Sequence, residues 1–101
     1  MKVFVITSTA NKNFESFFAS MQSAEKWIDN MERFSGTKYS VHDYEIRDTE
    51  AAFVVVSKLG GAVPKFENVF PCMETAEKWV NEMYDRSFDK REYVIKRFEL
   101  V

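Results

Sequence analysis

Apolar positions along the chain follow two rhythms, a dense β-branched and aromatic run and then a spaced stripe, and this succession occurs twice. Lys2 to Thr7 and Ala52 to Ser57 are runs of Val, Ile, Phe and Ala, dominated by residues that favour strands. Apolar side chains fall on both alternating faces of each run, Val3 and Val5 against Phe4 and Ile6, then Phe53 and Val55 against Val54 and Val56. Strands of that kind are covered on both sides, so these two are predicted to be central. The stripes follow. Ala24, Trp27, Ile28, Met31 and Phe34 recur at helical period opposite Glu25, Lys26, Asp29, Glu32 and Arg33, and Ala76, Trp79, Val80 and Met83 repeat the pattern. Ser20 or Ser23, and Thr75, are candidate N-caps, and Ser35-Gly36 is a candidate stop for the first helix.

The repetition extends to residue identities. Met21 to Met31 reads MQSAEKWIDNM and Met73 to Met83 reads METAEKWVNEM, identical at six of eleven positions and 52 residues apart. Upstream, Phe14-Glu15-Ser16-Phe17-Phe18 matches Phe66-Glu67-Asn68-Val69-Phe70 at the same spacing. The first strand, Val3 to Thr7, matches Phe53 to Ser57 at a spacing of 50, and Tyr39 to Ile46 matches Tyr93 to Leu100 at 54. Matched blocks separated by small length changes in loops are the mark of duplication followed by drift. The expectation is one domain, 1–101, made of two repeats, 1–47 and 51–101, since a half of this size buries too little surface to fold by itself.

The stretches Glu15 to Ala19 and Glu67 to Pro71 form either a second strand or an extended lead-in. A hairpin gives an internally duplicated ββαβ repeat, an α+β fold with a mostly antiparallel sheet, two helices on one face and a pseudo-two-fold axis. A lead-in gives a ferredoxin-like βαββαβ fold as runner-up. The apolar character of Phe14, Phe17, Phe18, Phe66, Val69 and Phe70 favours the hairpin.

The opening MKVFVITS, the helix carrying AEKW and the closing strand with YEI resemble small phage and bacterial proteins with MKVYVV-like first strands, here present as a tandem duplication. That resemblance implies a phage or mobile-element origin. The family has no assigned activity and supplies no site residues.

Composition narrows the function classes. Aromatic residues make up 16% of the chain, with ten Phe, which marks a folding rather than a disordered sequence. Fourteen Lys and Arg against sixteen Asp and Glu give a formal charge of −2, without the basic excess that nucleic-acid binding draws on. The single Cys72 suits a reducing compartment, and the short apolar start, Val3 to Ile6, falls below the length of a secretory core or a membrane span. A cytoplasmic protein is expected, in the host if it is phage-encoded.

Chemistry-bearing residues are sparse. With one His and one Cys, no His/Cys metal cluster is possible, and His42 lacks an evident acid or nucleophile partner. Cys72 stands near the start of the second helix, where a thiol pKa falls, but its repeat counterpart is Ser20. Gly60-Gly61, with Lys58 and Lys65 nearby, lacks the spacing of a P-loop or a dinucleotide turn and reads as a hairpin tip. Asp43, Glu45, Asp48 and Glu50 lack the spacing of a calcium loop.

The expected function is a non-enzymatic protein-binding module without cofactor or metal, a phage-encoded modulator or inhibitor of a host defence or transcription protein. The alternative is a small molecule or nucleotide bound at the seam between repeats. Positions where the repeat is broken are the candidate interaction surface: Lys58, Gly60, Gly61, Lys65, His42 and Tyr84. If both helices cover one sheet face, the other face keeps an apolar set of four or more residues, which predicts a homodimer. The competing arrangement covers that face within one chain.

Overall fold

The structure is a computed structural model describing residues 1–86 and 91–100. Each repeat forms the hairpin version of the fold. The first comprises β1 (Lys2–Ser8), β2 (Phe14–Phe18), α1 (Met21–Ser35) and β3 (Tyr39–Glu45); the second comprises β4 (Ala51–Leu59), β5 (Lys65–Phe70), α2 (Met73–Arg86) and β6 (Arg91–Glu99). The fold is α+β with internal duplication, and every pairing is antiparallel.

The strands do not merge into one sheet. They form two, ordered β2-β1-β3 and β5-β4-β6, with the apolar-on-both-faces strands β1 and β4 in the centres as expected. The sheets pack against each other through Val3, Val5 and Phe17 from one and Ala52, Val54, Val56 and Val69 from the other. Each helix covers its own sheet's outer face, α1 over Phe4 and Ile6, α2 over Val55. The two helices therefore lie on opposite outer faces, a correction to the arrangement with both on one face. A three-stranded sheet apolar on both sides needs two covers, and the duplicated chain provides a helix for one and its own twin for the other. The open face that predicted a homodimer is closed inside the single chain.

The alignment of the central strands also changes. Phe4 pairs with Phe18 and Phe53 with Phe70, its repeat counterpart, so β1 maps onto β4 at a spacing of 49 rather than 50. The other neighbours agree, since Val3 faces Tyr44 and Ala52 faces Phe98. A one-residue slip exchanges the two faces of a strand. The second half's inward residues are thus Ala52, Val54 and Val56, and the loop after β4 is three residues longer than its counterpart.

Three details fix the pseudo-two-fold axis. Phe14 N–H donates to the Pro64 carbonyl and Phe66 N–H to the Lys12 carbonyl, at 2.9 and 3.4 Å, joining the two hairpins where they cross. At the other end Ile46 N–H donates to Met1 and Leu100 N–H to Glu50. Both hairpins carry a bulge at an equivalent glutamate: Ile6 and Thr7 face Ser16 and Phe14, skipping Glu15, and Val55 and Val56 face Asn68 and Phe66, skipping Glu67.

The helices follow their stripes, with one exception. Trp27 meets Tyr39 edge-on at 5.1 Å and Trp79 meets Tyr93 at 5.8 Å, the same contact in both halves, each Trp half-buried. Ser20 caps α1 by accepting the Ser23 N–H, and Gly36 ends it at φ 70°. Phe34, placed on the apolar stripe by its spacing, is 88% exposed in the last turn of α1.

Candidate interaction surface

The β4–β5 hairpin tip begins as a turn made possible by Gly60, whose φ of 62° suits glycine, with Ala62 N–H closing onto the Leu59 carbonyl. Around this turn a hollow of about 210 Å³ is lined by Ser57, Lys58, Leu59, Ala62, Val63, Lys65 and Arg91. Four of the six expected surface residues, Lys58, Gly60, Gly61 and Lys65, thus belong to one tip. Under it the Ser57 hydroxyl donates to Glu67 at 2.7 Å, and the Arg91 guanidinium lies 3.5 Å from the same carboxylate. The bulge re-aims Glu67 into this contact. Its twin Glu15 is exposed, with Ser8 and Thr37 at the equivalent positions.

Two further clefts lie in partly equivalent places of the two repeats. One, about 220 Å³, is lined by Thr7, Lys12, His42, Tyr44, Phe66 and Glu67; the other, about 200 Å³, by Val56, Ser57, Lys58, Pro64, Val94 and Lys96. Thr7 corresponds to Val56, Lys12 to Pro64 and His42 to Lys96. In the first cleft His42 Nε2 lies 3.0 Å from the buried Thr7 hydroxyl. Burial, with Asp43 adding to it, raises the Tyr44 phenol above its ordinary value. In the second, the Lys96 ammonium stands 5.6 Å over the Phe14 ring.

Tyr84 does not join these residues. Its hydroxyl accepts the Tyr93 N–H at 3.0 Å and its ring meets Tyr93 edge-on, so this break in the repeat serves to cover the outer edge of β6. Cys72 occupies the N-cap position of α2. Its thiol is lowered below the ordinary range chiefly by the Thr75 hydroxyl at 3.1 Å, then by the Thr75 N–H. Among the described residues no three His, Cys, Asp or Glu side chains group as a metal site, and no helix is long and apolar enough to cross a membrane.

Leu59, Val63, Pro64, Arg91, Val94 and Lys96 were not singled out from the sequence, yet they share the surface with Lys58 and Lys65. The corrected alignment of β4 sets Lys58 against Thr9 and Leu59 against Ala10, while the spacing of 54 already set Val94 against Ser40 and Lys96 against His42. Comparison with known family models, curated proteins and solved structures gives no match.

Proposed function

We propose that this chain is a non-enzymatic protein-binding module, a phage-type modulator or inhibitor of a host protein, that docks through the end of the sandwich carrying the β4–β5 tip. The observation supporting this reading is the direction in which the repeats diverge there. Small residues of the first half, Thr9, Ala10, Thr37 and Ser40, stand where the second half has Lys58, Leu59, Arg91 and Val94. Leu59 and Val63 are 50% and 57% exposed, and apolar residues ringed by Arg and Lys are the composition of a docking patch rather than of an idle surface. The test is capture from bacterial lysates on immobilised protein, comparing wild type with Leu59→Ser/Val63→Ser. A specific protein retained by the wild type and lost with the variant is the expected result. Equal retention by both, or none by the wild type, overturns the reading.

A second reading rests on the His42 cleft, which takes residues from both repeats and so lies at their seam. At about 220 Å³ it is smaller than the roughly 300–1,000 Å³ of ordinary ligand pockets, which favours the protein partner over a nucleotide. Thermal-shift screening against nucleotides and metabolites separates the two: a specific rise in melting temperature, abolished in His42→Ala, favours the seam.

A further inference from the structure

We propose that the cleft of Val56, Pro64, Val94, Lys58 and Lys96 seats an apolar side chain from an acidic segment of the partner; this rests on the protein-binding reading above and gives the partner its chemistry. Val94 lies opposite Val56, at the place that Ser40 opposite Thr7 holds in the first sheet. Val94 is 42% exposed there beside Val56, which is buried. β4 and β6 continue past this pair to Lys58 opposite Glu92 and Leu59 opposite Arg91, which sets Lys58 on the same face as Val56.

The two clefts differ in both floor and charge. Thr7 and Lys12 of the first correspond to Val56 and Pro64 of the second, which adds Val94, so the second floor is more apolar; the first is lined by one lysine, Lys12, with the acidic Glu67, the second by two, Lys58 and Lys96. Drift without selection for a ligand has no reason to change floor and charge together. Around the tip Lys58, Lys65, Arg91 and Lys96 stand against Glu67 and Glu92, a net of +2 in a chain whose formal charge is −2. An acidic partner is therefore attracted to this end and repelled by the remainder, which orients it on approach. The apolar floor distinguishes a peptide from a phosphate backbone, whose contacts go to cations and hydrogen-bond donors. Strand addition along β6 is disfavoured near Tyr93, where the Tyr84 hydroxyl takes the outward N–H, so recognition passes through side chains.

The experiment pans the full chain against a surface-displayed library of random peptides and titrates the enriched sequences as fluorescein conjugates, with a fluorescein-labelled oligo(dT) as the nucleic-acid probe. Enriched peptides are expected to share an aliphatic or aromatic residue flanked by Asp or Glu. Their affinity should fall at least tenfold with Lys58→Glu/Lys96→Glu and with Val94→Asp, and stay unchanged with Lys26→Glu on the exposed face of α1. Amide shifts of the wild-type protein on titration should centre on Lys58, Val94 and Lys96, a readout independent of whether the variants fold. No enrichment, binders without acidic residues, shifts centred elsewhere, or tighter binding of oligo(dT) overturns the proposal. A lysate partner lost with the tip variant alongside such a failure leaves the module reading standing; absence of any lysate partner removes that reading even where peptides bind.

Discussion

At the scale of single residues, Cys72 and Tyr44 are moved from their ordinary titration range by different causes, and each movement is measurable. The Thr75 hydroxyl has one hydrogen, which serves either the Cys72 carbonyl or the sulfur, both at 3.1 Å. Donation to the thiolate lowers its pKa, so Cys72 should react with iodoacetamide faster near neutral pH than an unperturbed thiol. Thr75→Val is expected to shift the rate profile to higher pH while circular dichroism stays unchanged; an unshifted profile would show that the hydroxyl has no part in it. Tyr44 moves the other way. Burial disfavours its phenolate, so the neutral form's contribution to stability is fully present below pH about 10 and is lost as pH rises through the higher folded value. Ultraviolet titration should show a late component that is absent in Tyr44→Phe.

At the scale of elements, the repeat offers each test its own control. Glu15 and Glu67 are equivalent bulge residues, but only Glu67 is held by the buried Ser57 hydroxyl and faced by Arg91. Glu67→Ala should cost about 1.5–3 kcal/mol, the range for hydrogen bonds to charged groups, and Glu15→Ala about 0.5 kcal/mol or less. Equal costs by urea unfolding would mean that the Glu67 contact contributes nothing. Trp27→Ala and Trp79→Ala should each cost about 3 kcal/mol, the lower end for buried aromatics because both rings are half-exposed. The helices and the central places of β1 and β4 were legible from periodicity and strand-forming content, and the hairpins only as the favoured of two readings, from the aromatic residues ahead of each helix. The register of β4 was not. A run such as Phe53-Val54-Val55-Val56 is apolar on both faces, so a one-residue slip leaves its hydrophobic pattern intact, and only its partners Phe70 and Phe98 set the phase. The same limit hid half of the surface. Lys58 and Lys65 flank a visible insertion, while Val94 and Lys96 arrive from β6 and join them only through the β4–β6 pairing. Phe34 keeps the helical period into the last turn of α1 and is nonetheless 88% exposed.

At the scale of the molecule, duplication does inside one chain what a homodimer does between two. The faces of Val3, Val5 and Phe17 and of Ala52, Val54, Val56 and Val69 are related by the pseudo-two-fold axis and exclude water from each other. Burial of an aliphatic side chain of this size is worth about 1.5–3 kcal/mol relative to exposure, so neither half is expected to hold its sheet open to solvent. The hydrogen bonds across the axis, Phe14 to Pro64 and Phe66 to Lys12, likewise require both halves. With that face closed internally, the argument for association of whole chains disappears, and sedimentation at micromolar concentration should give a mass near 11.9 kDa. The first repeat alone, residues 1–47, presents the same face without its cover. It should therefore pair with itself around a true two-fold axis, Phe14 N–H reaching the Lys12 carbonyl of a second copy, or else remain unfolded. A folded, monomeric half would show that one ββαβ unit is stable uncovered, and the need to cover that face would no longer account for the duplication.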